Sequence, residues 1–348
     1  MEISELGEFG LIDRLTSDIK PTNASTLLGA GDDCAILGYD GTTRQLVTTD
    51  LLLEGIHFDL VYTPLRHLGY KAVMVNFSDV YAMNGTPRQI TVSLGIDKRL
   101  QVEDIEELYA GMRLACERHK VDLVGGDTSS SVTGLTISIT CIGEAPEKDI
   151  VRRSGAKPTD LICCSGNLGA AYLGLQLLER EKAIYFQQLK EGKLSPDTPF
   201  QPDFAGREYL LERFLKPEAR RDITEALRKA GIVPTSMMDI SDGLSSELLH
   251  ICKASHVGCR LYEERIPLDY QTAAAAEELN LNVSTCALNG GEDYELLFTV
   301  PLALHETIEQ LDDIKIIGHI TDADDGAVMV ARGGSEMTLK AQGWQHQL

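Results

Sequence analysis

The chain has 348 residues and carries 32 lysines and arginines against 53 aspartates and glutamates, a formal net charge of −21. At 43% hydrophobic and 24% charged it can bury a sizeable core, which excludes a disordered or fibrous chain, and its length predicts two domains. The acidic surface excludes nucleic acid as a partner, because a polyanion would be repelled, and it argues equally against a phosphate site built mainly from Lys and Arg side chains.

In chain order, a β-rich run predicts a strand at 45–49. A helix over 64–84 follows, with Thr63 as cap, Pro64 at the first helical position, a stripe of Val73, Phe77, Val80 and Tyr81, and a stop at Gly85. Strand 89–96 leads to helix 102–118, which places Val102, Ile105, Tyr109, Met112 and Cys116 on one face. Strands 121–124 and 135–143 come next, and the polar, proline-bearing stretch 144–158 reads as a linker. Strand 160–165 and a Gly-rich turn precede helix 168–182, with Leu168, Ala171, Tyr172, Leu175 and Leu178 inward. The stretch 185–208, with Pro196, Pro199 and Pro202, reads as a surface insertion. Helices 220–230 and 243–255 and strands 295–300 and 314–320 complete an α/β (α+β) chain with mixed sheets. No apolar run is long enough for a membrane span. The opening MEISELGEFG lacks the regions of a signal peptide, and no CxxC occurs among eight cysteines, so a cytoplasmic protein with reduced, core-filling thiols is expected.

The common nucleotide and hydrolase motifs are absent: no P-loop, no GxGxxG, no protein-kinase set, no GxSxG, HExxH or Cys/His zinc cluster. Gly166-Asn167-Leu168-Gly169 is only GxxG, and tight helix–strand packing explains it better than phosphate binding.

Aspartates, in contrast, recur beside Gly, Ser or Thr. The six places are Gly31-Asp32-Asp33, Thr48-Thr49-Asp50, Asn76-Phe77-Ser78-Asp79, Gly125-Gly126-Asp127-Thr128, Asp239-Ile240-Ser241-Asp242-Gly243 and Gly290-Gly291-Glu292-Asp293. Glycine lets backbone approach a ligand, and a carboxylate is a hard oxygen ligand suited to Mg²⁺, Mn²⁺ or Ca²⁺. Taken singly, each motif reads as a turn or cap: Asp242 as an N-cap, and Asp32 as the capping partner of the Asp32-Asp33 pair. Taken together, converging acids repel one another and require cations. Metal ions bridging a polyphosphate satisfy that need without Lys or Arg.

In this order the motifs resemble those of the thiamine-monophosphate kinase family. The resemblance rests on Gly7-Glu8-Phe9 with Leu11-Ile12, GDDCAIL (31–37), TTDLLLEGIHF (48–58), YKAVMVNFSDVYAMNGTP (70–87), VGGDTS (124–129), RRSGAKPTD (152–160), MDISDGLSSEL (238–248), IPL (266–268), GGEDYELLFTV (290–300) and a terminal GW (343–344). It implies a two-domain aminoimidazole ribonucleotide synthetase-like fold, with an N-terminal ATP- and Mg²⁺-binding, dimerising domain over 1–146 and a C-terminal α/β domain over 147–348. It implies a homodimer, several Mg²⁺ ions per site, ATP as co-substrate and thiamine monophosphate as acceptor. By matched motif, Asp33, Asp50, Asp79, Asp127 and Asp239 are metal ligands, assisted by Thr48 and Thr49, with Asp242 as a further ligand. Among them Asp50, Asp79 and Asp127 are the catalytic group. Tyr109, Gly126, Arg153 and Ser241 contact ATP, and His57, Glu292 and Trp344 contact the thiamine phosphate.

Read without the resemblance, His57 is an ordinary surface or core residue, Trp344 is a packing anchor or a ring that stacks on a thiazolium or pyrimidine, and Tyr109 is as much a core residue as an adenine contact. Among related families, a selenophosphate synthetase would carry an N-terminal reactive cysteine, and a hydrogenase maturation protein a C-terminal one. Here the first cysteine is Cys34 and the last Cys286. The remaining alternatives are an aminoimidazole ribonucleotide synthetase-like enzyme and a non-catalytic Mg²⁺–nucleotide-binding relative. The latter should have gaps among the acids, and there are none.

Overall fold

The structure, a computed structural model, describes residues 24–29, 31–39 and 41–342. The Gly7-Glu8-Phe9, Leu11-Ile12 and Gly343-Trp344 motifs lie outside the described residues.

The first half of the chain builds a six-stranded sheet from β1 (Thr26–Leu28), β2 (Ala35–Leu37), β3 (Thr43–Leu53), β4 (Thr86–Asp97), β5 (Asp122–Ser131) and β6 (Thr136–Pro146), in the order β1-β2-β3-β6-β4-β5. Helices α1 (Leu65–Ala82) and α2 (Val102–His119) lie on one face. Every pairing is antiparallel except β4 with β5, which α2 connects as a crossover. Strand alternation sends Leu46, Ile90, Val92, Ile137 and Ile139 toward the helices, where they meet Val73, Phe77, Val80, Leu108 and Met112. Among the described residues the opposite face carries no helix, and Leu51 and Val124 are 52% and 58% exposed.

Two glycines let α1 and α2 touch. A Cβ on Gly69 would stand 1.9 Å from the Leu108 carbonyl oxygen, and one on Gly111 would stand 1.9 Å from that of Arg66. Gly111→Ala is therefore expected to force the helices apart at a cost of about 1–3 kcal/mol. A thermal melt checks this, and an unchanged midpoint would contradict the contact.

The second half builds a seven-stranded sheet in the order β13-β12-β9-β11-β7-β10-β8. Its strands are β7 (Leu161–Ser165), β8 (Ser236–Asp239), β9 (Gly258–Tyr262), β10 (Leu296–Val300), β11 (Ile314–Thr321), β12 (Ala327–Val330) and β13 (Glu336–Thr338). Helices flank both faces: α3 (Ala170–Lys190), α4 (Glu208–Leu215), α5 (Arg221–Lys229), α6 (Leu244–Ser255), α7 (Tyr270–Glu278), α8 (Val283–Asn289) and α9 (His305–Glu309). The pleat of β7 splits its residues. Ile162 and Cys164 pack toward Leu244, Leu248 and Ile251 of α6, whereas Leu161 and Cys163 pack toward Ile223 and Leu227 of α5. This accounts for the Cys163-Cys164 pair, and all eight cysteines are buried and unbridged.

Several expectations need correcting. Pro64 is the N-cap of α1 rather than its first helical residue, and Thr63 supplies no cap; its hydroxyl is buried without a partner. Val102 is 70% exposed because it only opens α2. The predicted strand 121–124 runs on through Gly125-Gly126-Asp127 to Ser131, so this motif is strand, not turn. As an edge strand with one open face, β5 tolerates glycine and polar residues. Helix α3 reaches Lys190, inside the expected insertion, and the irregular remainder packs on itself through Tyr185 against Phe200. Strands β1, β2, β8, β9, β12 and β13 and helices α4, α7, α8 and α9 went unpredicted. The β8 sequence SMMD, for example, has no β-branched residue and no alternation. Among the described residues, no helix is long and apolar enough to cross a membrane.

Candidate active site

Four of the acid motifs meet where the two halves of the chain touch. Asp33 lies in the turn before β2, Asp50 on β3, Asp79 on the last turn of α1, and Asp239 at the end of β8. Asp33, Asp79 and Asp239 each bring a carboxylate oxygen within 4.8 Å of the other two. On β3 the even-numbered residues face α1, so the Thr48 hydroxyl donates to Asp79 Oδ2. The Ser78 hydroxyl crosses between the halves and donates to Asp239 Oδ2. Arg153 donates to Asp33 Oδ1 from Nη2 at 2.6 Å and from Nε at 3.2 Å. Asp32 turns away to accept from the backbone N–H groups of Asp33 and Arg153, which is the capping role its sequence suggested.

This arrangement is electrostatically costly. Burial, then the charges of Asp50, Asp239 and Asp33, push Asp79 well above the usual carboxylate range. Burial and Asp33 push Asp239 up to about 7, and burial pushes Asp50 up to about 6. Asp33 is also raised by burial, with Arg153 opposing. Two like charges ~4 Å apart repel by about 4 kcal/mol at an effective dielectric near 20. Asp33 Oδ2 and Asp50 Oδ2 are buried without any hydrogen-bond donor. Orphaned hard oxygens in a cluster short of positive charge fit Mg²⁺, with Asp33, Asp50, Asp79 and Asp239 as the residues that would hold it.

The loops 240–243 and 290–295 lie alongside. Glu292 N–H donates to Ser241 O at 2.6 Å and Tyr294 N–H to Ile240 O at 2.9 Å. Glu292 and Tyr294 have φ of 59° and 51°, a left-handed backbone that costs non-glycine residues energy and concentrates at functional sites. Glu292 Oε1 pairs with Lys71 Nζ at 2.8 Å. Ser241 Oγ donates to Asp242 Oδ2 at 3.2 Å, and Asp242 N–H donates to buried Glu247 at 3.1 Å. The N-cap of α6 is Gly243 rather than Asp242. His57 Nδ1 accepts from Leu53 N–H at 3.0 Å, which places the proton of the neutral imidazole on Nε2. The GxxG turn holds a protein carboxylate: buried Asp293 accepts from Gly169 N–H at 2.7 Å and Ala171 N–H at 3.4 Å.

Other expected site residues stand apart. Thr49 faces the helix-free side of the sheet, with its hydroxyl donated to Ile139 O at 3.1 Å. Asp127 is exposed on that same side, in the in-register row Leu51, Ser138, Ser93, Asp127. It lies three strands from β3, about 14 Å away, and so cannot share an ion with Asp50 in one chain. The pleat is the reason: an odd step along a strand changes face. Gly126 is required by packing, since a Cβ there would stand 1.9 Å from Val92 O. Tyr109 is half-buried and packs against the core beneath α2. Trp344 lies outside the described residues. Ser78, Lys71, Glu247 and the capping role of Asp293 were missed, although Ser78 stands inside an acid motif and Glu247 four residues beyond another.

Residues 31–145 match the family model of the AIR synthase related protein, N-terminal domain. The thiamine-monophosphate kinase of Aquifex aeolicus is 36% identical over 346 residues, 99% of this chain and 100% of that one. The chain belongs to the thiamine-monophosphate kinase family. The thiamine-monophosphate kinase of Bacillus subtilis is 31% identical over 98% of this chain and 99% of its own. A solved structure, AaThiL complexed with AMPPCP and TMP, superposes with a TM-score of 0.83 at 33% identity, covering 99% of both chains. The resemblance read from the sequence is thus borne out along the whole chain, as is the α/β fold. A thiamine-monophosphate kinase family member with every acid motif present has no gap of the sort a non-catalytic relative would show.

Proposed function

We propose that this protein transfers the γ-phosphoryl group of ATP in line to the phosphate of thiamine monophosphate, giving thiamine diphosphate and ADP, the last step of thiamine diphosphate biosynthesis. The observation that carries this is the convergence of buried Asp33 and Asp239 with half-buried Asp79 in a chain related over its full length to thiamine-monophosphate kinases. These carboxylates and Asp50 would hold Mg²⁺, with Asp242 beside them and Thr48 and Ser78 orienting them. A bound Mg²⁺ would supply the charge neutralisation that phosphoryl transfer between two anions needs. The acceptor needs no strong base, since a phosphate monoester with a second pKa near 6 is already an oxyanion at about pH 7. His57 donates from Nε2 to the acceptor, Glu292 and Trp344 contact it, and Tyr109, Gly126, Arg153 and Ser241 contact ATP.

Asp127 would serve a separate ion or phosphate on the open face of the sheet, and Thr49, three strands away from it on that face, would assist only at the β3 end. Residues 1–146 form the ATP- and Mg²⁺-binding, dimerising domain, and 147–348 the second domain. A cytoplasmic homodimer fits this reading: the sheet face with exposed Leu51 and Val124, and the outer edge of β5, which pairs with no other strand among the described residues, offer a surface for a second copy. Light scattering at assay concentration tests the dimer.

Incubation with Mg²⁺-ATP and thiamine monophosphate should yield thiamine diphosphate and ADP in equal amounts, and free thiamine or aminoimidazole precursors should yield none. No thiamine diphosphate, where a control kinase makes it, would overturn the proposal. Asp127→Ala is expected to lower kcat about a hundredfold or more, with a melting midpoint close to that of the parent because the side chain is exposed.

A further inference from the structure

We propose that Lys71 is a positioning residue for the acceptor, its ammonium group holding the Glu292 carboxylate in the orientation that receives thiamine monophosphate; this rests on the kinase reading above. Lys71 stands on α1 with its side chain only 2% exposed. A lysine buried so fully must have its charge met. Glu292 Oε1 meets it at 2.8 Å, and the buried ring of Phe214 on α4 lies 4.2 Å from Nζ. The ammonium is therefore held between α1, α4 and the 290–295 loop, whereas Glu292, 28% exposed, stays partly open to solvent.

Stability alone does not explain such a pair. A buried ion pair can often be replaced by apolar residues of similar volume without loss, so a buried lysine is weak evidence of a stabilising role. Orientation explains it better. Glu292 sits on left-handed backbone at φ 59°, in a loop whose shape is not that of a regular element. The ammonium takes one carboxylate oxygen and directs the other. Lys71 and Ser78 are seven residues apart, two turns on one face of α1, about 10 Å along the axis. Ser78 holds the metal-side carboxylate of Asp239 and Lys71 the acceptor-side carboxylate of Glu292. One rigid helix face thus sets both.

The test compares Lys71→Met, Glu292→Gln and the double variant in steady-state kinetics, with melting midpoints measured alongside. Lys71→Met should raise KM for thiamine monophosphate about tenfold or more while KM for ATP stays within about twofold, and the double variant should be no worse than Glu292→Gln alone. A Lys71→Met protein that melts lower but keeps both KM values overturns the inference, since that is what a merely structural lysine does. If Lys71→Met does not fold, the double variant, which leaves no unpaired carboxylate, is read against Glu292→Gln: equal KM values support the coupling, and a further tenfold rise overturns it. A parent protein that makes no thiamine diphosphate would instead overturn the kinase reading.

Discussion

Replacing Asp79 by asparagine should raise the melting temperature of the metal-free protein and abolish phosphoryl transfer. Both effects come from one geometry. Asp79 is half-buried, its carboxylate lies among the charges of Asp50, Asp239 and Asp33, and Thr48 is the donor that lowers its energy. Asparagine keeps the shape and can still accept from the Thr48 hydroxyl, but it brings no charge. Part of the repulsion is already relieved by protonation, so the gain should be about 1–3 kcal/mol, a rise of several degrees in Tm. The catalytic loss should be about a thousandfold or more, because a charge-neutralising ligand is removed where the transferring group's charge must be met. A melt in EDTA and the product assay read the two effects. A lower Tm, the ordinary result for a polar change in a core, would contradict the picture of mutual repulsion.

Without metal, the protein should lose stability as pH rises from about 4 to about 7, and saturating Mg²⁺ should shrink that loss, leaving the part that comes from Asp32 and Asp293, which stand outside the ion site. Asp239 titrates at about 7 in the fold, and Asp50 and Asp32 at about 6, against 3.8 for an unperturbed aspartate. A carboxylate raised in this way keeps its proton in the fold after the unfolded chain has released it. Its stabilising contribution is therefore full below 3.8 and is lost as pH climbs through the folded values. His119 works in the opposite sense. Burial and the nearby Arg221 lower it to about 4 from 6.5, so it favours the fold above 6.5 and loses that contribution as pH falls toward 4. His119 lies beside Phe77 and Tyr81, where Mg²⁺ does not act, so the difference between profiles with and without Mg²⁺ isolates the acids. Denaturant midpoints across this range measure it. Parallel profiles with and without the ion would show that the acid cluster is not its site.

The sequence shows Asp33, Asp50, Asp79 and Asp239 because each sits beside Gly, Ser or Thr in long motifs that keep one order. It shows α1 and α2 through their apolar stripes. Strand register, however, decides which face a residue takes, and register is set by long-range pairing. Asp50 and Asp127 read alike in one dimension, yet they lie on opposite faces of the sheet and three strands apart. Thr48 reaches Asp79, whereas Thr49 points away. The pairings of Ser78 with Asp239 and Lys71 with Glu292 join the two halves of the chain, and no local pattern announces them. Gly125-Gly126 reads as a turn because its neighbour strands are invisible until the sheet closes around them.

The charge of −21 first excludes a cradle of Lys and Arg, and the structure gives that exclusion a place: four acids converge where cations of the chain are few, with Arg153 already paired to Asp33. The central claim is that carboxylates, acting through Mg²⁺, carry the phosphates. Calorimetric titration of ATP into the protein tests it most directly, once with Mg²⁺ and once in EDTA. The account predicts binding with Mg²⁺ and little or none in EDTA, and ATP bound with the same affinity in EDTA would contradict it.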